Sequence, residues 1–157
     1  MIVNPHLPNG HVTFCDDVRY ELNNKVTLVG LYGTEMLLFG EAPLTLTGLR
    51  AVVDFKIDPE TAPVQGVIKI IKSGSEEVLC QQDFAFPEAQ DEMANLSIHP
   101  EEFQQAYTGL IVHFLIGNVL IDEPCRLKVR AFVGTDEIRL GSLNIRFAPS
   151  SEMQPSS

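Results

Sequence analysis

Apolar residues recur at every second position through most of this chain, and that period leaves a β-sheet as the only regular structure able to bury them on one face. The clearest case is residues 12–22, VTFCDDVRYEL. Val12, Phe14, Val18, Tyr20 and Leu22 share one parity with Asp16, while Cys15, Asp17, Arg19 and Glu21 fall on the other. Asn23-Asn24 then reads as a tight hairpin turn, since asparagine tolerates the positive φ such turns need. Residues 26–31, VTLVGL, return apolar on both parities, as a central strand would.

The same grammar continues. Leu44 and Leu46 lead into Ala51, Val53, Phe55 and Ile57, which alternate against Asp54, Lys56 and Asp58. The turn 58-DPETAP-63 follows, then a strand from Val67 to Lys72, a Ser-Gly-Ser turn, and a strand from Glu77 to Phe84. Leu96 and Ile98 suggest a short strand. Residues 110–116, LIVHFLI, read as a strand buried on both faces. Leu127, Val129, Ala131 and Val133 alternate against Arg126, Lys128 and Arg130. Past the turn at Gly134, Ile138 and Leu140 are even while Leu143, Ile145 and Phe147 are odd, so Gly141 marks a β-bulge. Only 100-PEEFQQAY-107 has helical features: proline at a first position, acids in the first turn, and Phe103 with Ala106 or Tyr107 on one side. The expectation is an all-β, antiparallel two-sheet sandwich of about eight strands with at most one short helix. It occupies residues 11–148 as one domain, between an N-terminal extension 1–10 and a disordered tail 149–157.

Composition excludes several classes. With 45% apolar and 20% charged residues in 157, the chain has enough core material to fold without staples. No run of about 18 apolar residues is present, and the N-terminus does not read as a secretory signal, so the expectation is a cytoplasmic protein without membrane contact. Cys15, Cys80 and Cys125 form no CxxC pair, and are expected reduced. His11 and Cys15 lie about 13 Å apart in a strand, too far to share a metal. A formal charge of −10, from 11 basic and 21 acidic side chains, disfavours nucleic acid as a general partner. The charge is unevenly written. Between Lys72 and Arg126 there is no Lys or Arg, against ten carboxylates, whereas residues 126–146 carry five basic residues against Asp136 and Glu137.

The strand–turn–strand also carries a resemblance. Cys15-Asp16, then Asn24-Lys25, then the apolar run from Val26 to Gly30 is similar to the opening of a bacterial family of small single-domain proteins of unknown function. Pro43 before a long alternating strand and a polar edge hairpin near the end fit the same family. The chain departs from it in having Asn-Asn at a turn where glycine is expected. The resemblance implies an immunoglobulin-like or C2-like β-sandwich, and no activity.

Asp16 and Asp17 are the strongest candidates for chemistry. Clustered carboxylates on sandwich loops suit Ca²⁺ or Mg²⁺, with Asp58, or Asp122 and Glu123, as possible further ligands. The competing reading is structural: Asp16 marks where the buried face of the first strand ends and accepts local hydrogen bonds. No serine elbow, phosphate loop, dinucleotide fingerprint or acid–base pair appears, so no catalytic residue and no cofactor is expected. Gly30 and Gly33 read as room for close backbone approach. Arg126, Lys128 and Arg130 share a parity and form a basic stripe, either a protein-binding face or a row paired with acids on neighbouring strands. The function expected is a non-enzymatic binding or accessory module acting on a protein partner or by self-association. The alternatives are a metal-dependent binder or hydrolase using Asp16 and Asp17, and a structural subunit of a phage or injection assembly.

Overall fold

A computed structural model describes residues 7–61, 63–87 and 108–149. The suggested strand at Leu96 and Ile98 and the helix at 100–107 lie outside these residues. Eleven strands are present among the described residues: β1 Asn9–Tyr20, β2 Val26–Tyr32, β3 Glu35–Leu38, β4 Leu44–Leu46, β5 Leu49–Ile57, β6 Val64–Lys72, β7 Glu77–Phe86, β8 Thr108–Ile116, β9 Val119–Ile121, β10 Cys125–Val133 and β11 Asp136–Phe147. Three of them are short: β4 is the pair Leu44 and Leu46 already seen to alternate, whereas β3 and β9 hold too few residues for alternation to register. The first strand begins at Asn9, inside the segment expected to be an extension.

One sheet has the order β2-β1-β5-β8 and the other β3-β11-β10-β6-β7, with β4-β9 as a separate ribbon. All pairings are antiparallel except β3 with β11. An immunoglobulin sandwich places strands ABED in one sheet and CFG in the other. Here β1, β5 and β8 occupy the order of A, B and E, and β6, β10 and β11 that of C, F and G.

Alternation builds the core between the sheets. Along β5 the odd residues Leu49, Ala51, Val53, Phe55 and Ile57 are buried and the even ones only partly so. They meet Ile68 and Ile70 of β6, Phe84 and Phe86 of β7, Leu127, Val129 and Ala131 of β10, and Leu143 and Ile145 of β11 in one cluster. The Phe55 ring stands 5.3 Å from that of Phe84 and 6.5 Å from that of Phe86, at tilted angles that aromatic pairs favour. At Gly141 the chain bulges: Val129 pairs with Gly141 but Arg130 with Arg139, so one extra residue is absorbed. Gly141 has φ 136°, and a side chain there would strike Val12 of β1 in the facing sheet. The parity jump in the sequence is this bulge.

Two strand expectations are corrected. β2 is an edge strand, with Val26 and Leu31 exposed. β8 is an edge of its sheet among the described residues, and its outward Ile111 and Leu115 are 66% and 56% exposed. Apolar residues on both parities did not mean burial on both faces. The turn is also longer than two residues. Asn23 and Asn24 do take positive φ (62° and 58°), but they sit in a five-residue loop between paired Tyr20 and Val26, closed by Glu21 N–H donating to the Lys25 carbonyl at 2.9 Å.

The first hairpin does not continue its sheet. β1 pairs with β5 only as far as Cys15 opposite Arg50, and beyond that with β2 alone. Thr13 lies opposite Val52, and Val52 opposite His113, so these three form one transverse row. A straight strand would carry Tyr20 about 23 Å beyond that row. Instead the Tyr20 hydroxyl is 2.5 Å from His113 Nδ1, and the two rings are 5.5 Å apart. The hairpin therefore turns back over the outer face of its own sheet. Cys15, which points to that face, is 0% exposed in consequence.

Candidate functional site

Asp16 and Asp17 sit where the hairpin bends. Gly30, across from Asp16, has φ 66°, and the Asp16 carboxylate fills the space a side chain at position 30 would need. Its Oδ1 accepts a hydrogen bond from the Tyr32 hydroxyl at 2.5 Å. Burial, then the hydrogen bond to Asp16, push the Tyr32 phenol up to about 12. Asp17 forms an exposed ion pair with Arg19 at 3.5 Å. Asp58 stands past the far end of β5, about 30 Å away along the strand direction, where it caps the turn by accepting the Glu60 N–H at 3.0 Å. It therefore shares no cation with Asp16. Asp122 is held by Lys72 at 3.5 Å. Among the described residues no three His, Cys, Asp or Glu side chains gather as a metal set. Gly30 serves the bend, but nothing lies within 4 Å of where a side chain at Gly33 would begin, so close approach does not explain Gly33.

The cysteines are free, and burial raises the thiol pKa of each, that of Cys80 to about 11. Such thiols stay protonated near neutral pH and are poor nucleophiles.

The other predicted residues lie on the outer face of the five-stranded sheet. β10 is central there, and its odd residues Leu127, Val129 and Ala131 are fully buried. Arg126, Lys128 and Arg130 consequently point outward. Lys128 Nζ reaches both Glu76 oxygens, at 2.9 and 2.8 Å. Arg130 Nε is 3.2 Å from Glu137, and its Nη1 donates to the carbonyls of Val129 at 2.8 Å and Gly141 at 3.2 Å. The bulge thus presents a carbonyl that orients this guanidinium. Arg126 differs: its Nε donates to the Asn144 side-chain oxygen at 2.7 Å, and no carboxylate pairs with it among the described residues. Arg126 and Lys128, with Glu35, Ser73, Asn144 and Arg146, line a shallow groove of about 540 Å³. Arg146 forks onto Glu35, and that hydrogen bonding holds the Glu35 carboxyl below its ordinary value.

Three cations on this face were not singled out from the sequence: Arg146, already placed against Glu35, and the pair Lys69 and Arg139. Lys69 of β6 lies opposite Arg130, and Arg139 of β11 lies opposite Arg130 from the other side. Lys69 Nζ sits 5.3 Å from the Phe132 ring centre. Their outward parity was legible beside Ile68, Ile70 and Leu140. Their meeting was not, because it depends on strand order and on the register after the bulge.

Among the described residues, no helix is long and apolar enough to cross a membrane. No family model matches the chain, and no curated protein matches it significantly.

Proposed function

We propose that this protein is a non-enzymatic binding module of the cytoplasm that docks another protein through the outer face of its five-stranded sheet. One observation carries the reading. Lys69, Arg126, Lys128, Arg130, Arg139 and Arg146, six of the chain's 11 basic residues, share that face in a molecule of net charge −10. Glu76, Glu137 and Glu35 pair with Lys128, Arg130 and Arg146, so Lys69, Arg126 and Arg139 carry the excess positive charge of the face. A local excess of this kind steers and orients association more than it stabilises a fold. The face is backed by the core as well as charged, since Leu127, Val129 and Ala131 beneath it are fully buried. The bacterial family that the first hairpin resembles supplies no activity that competes with this reading.

The test is a pull-down with tagged wild-type chain and the Arg126→Glu/Lys128→Glu variant, both verified as folded by circular dichroism. A protein retained by the wild type at low salt and lost in the variant is the expected result. Equal retention by both, or retention insensitive to salt, refutes docking through this face. A second copy of the chain as the retained protein would make the contact a self-association, head-to-tail because basic and acidic surfaces differ.

A further inference from the structure

The transverse row across β11, β10 and β6 places Arg139, Arg130 and Lys69 directly opposite one another on the outer face. At about 4.8 Å between strands, three cations fall within a span of about 10 Å. Like charges directly opposed across a sheet repel. Only one carboxylate compensates them among the described residues: Glu137, paired with Arg130. No carboxylate of a described residue pairs with Arg139 or Lys69. Glu137 and two carbonyls on Arg130, and the Phe132 ring beside Lys69, offset part of that repulsion, and an anionic group lying on the row relieves more of it. The floor beside the row is apolar, with half-buried Val67, Ile71 and Phe132 and exposed Val78.

Resting on the docking reading above, we infer that the Lys69–Arg130–Arg139 row captures a short extended acidic segment of the protein partner. In an extended peptide, side chains two residues apart lie on one face and are separated by about 6.7 Å. Two glutamates so spaced have side chains long and flexible enough to reach Arg139 and Lys69 together, while the residue between them points away from the sheet. A long polyphosphate fits less well. The cationic row is three strands wide and has Glu137, Glu76 and Asp83 near it, so a nucleic-acid strand running beyond it meets carboxylates.

Fluorescence anisotropy with labelled octaglutamate, octaglutamine and an eight-nucleotide oligothymidylate decides the matter. Octaglutamate should bind at low ionic strength and weaken with salt, as screening shortens to about 10 Å at 0.1 M. Lys69→Gln and Arg139→Gln should each weaken it about fivefold, the worth of an exposed charge pair of about 1 kcal/mol. Glu137→Gln should tighten it, a gain that misfolding cannot imitate, and Lys25→Gln on the hairpin loop should leave it unchanged. Failure of octaglutamate to bind, or indifference to Lys69→Gln and Arg139→Gln, overturns the proposal. Equal or tighter binding of the oligothymidylate overturns it in favour of nucleic acid. If these fail while the Arg126→Glu/Lys128→Glu pull-down result holds, the docking face stands without this row as its anchor; if both fail, the docking reading falls too.

Discussion

Replacing Gly30 by alanine tests whether Asp16 is there to hold the bend of the first hairpin. Gly30 has φ 66°, and the position its side chain would take is filled by the Asp16 carboxylate. A left-handed conformation costs alanine about 1–2 kcal/mol. The methyl group also displaces the carboxylate, and with it the hydrogen bond from Tyr32. A bond to a charged acceptor contributes about 1.5–3 kcal/mol when shielded, which solvent exposure of Asp16 reduces to about 1 kcal/mol. The sum, about 2–3 kcal/mol, lowers the melting temperature of a chain this size by roughly 5–10 °C. The decisive comparison is a double-mutant cycle with Asp16→Ala. In that background the carboxylate is gone, and the cost of Gly30→Ala should fall to the backbone share of about 1–2 kcal/mol. Calorimetry supplies the numbers. In a Cys80→Ala/Cys125→Ala background, reaction of a thiol reagent with Cys15 reports whether the hairpin has lifted, since Cys15 is 0% exposed in the folded arrangement. Gly30→Ala costing the same with and without Asp16 refutes the structural role. Stabilisation by millimolar Ca²⁺ or Mg²⁺ that disappears in Asp16→Asn/Asp17→Asn would restore the cation reading.

Phe55→Ala removes the ring that joins β5 to Phe84 and Phe86 of the facing sheet. It should cost about 3–5 kcal/mol in urea unfolding, and a loss below about 1 kcal/mol would mean the two sheets are not packed through that cluster. At alkaline pH, the Cys80 thiol is pushed up from 9.0 to about 11 by burial, and the Tyr32 phenol from 10.0 to about 12 by burial and Asp16. Both groups hold their protons more tightly folded than unfolded, so stability is level below about pH 9 and falls as pH rises through 11 towards 12. Urea midpoints between pH 8 and 11 measure this; Cys80→Ala should flatten the first part of the decline, and a midpoint that rises above pH 9 contradicts it.

Local periodicity was enough for the long elements. The alternation of Leu49 to Ile57 became strand β5, with its odd residues as one wall of the core. The parity break at Gly141 became a bulge, because an extra residue in one strand must shift every later side chain to the other parity. The same reasoning misjudged residues 26–31 and 110–116. Greasiness on both parities signals compatibility with burial, but an edge position leaves one face and one flank open. The bend at Asp16 was legible only as an anomaly. A charged residue on an apolar parity says that something changes there. Whether it binds a cation or faces a glycine depends on what β2 brings opposite.

For the candidate site, the sequence determined that Arg126, Lys128 and Arg130 share one face, since every second side chain of a strand points the same way whatever surrounds it. Only the tertiary structure decided what that face holds. Strand order laid Lys69 and Arg139 alongside Arg130, supplied Glu76 and Glu137 to neutralise two of the predicted cations, and left Arg126 without a carboxylate among the described residues. Parity is a property of three consecutive residues, whereas neighbourhood across a sheet joins residues some sixty positions apart (Lys69 and Arg130). It is fixed by register, and register follows from packing the whole core.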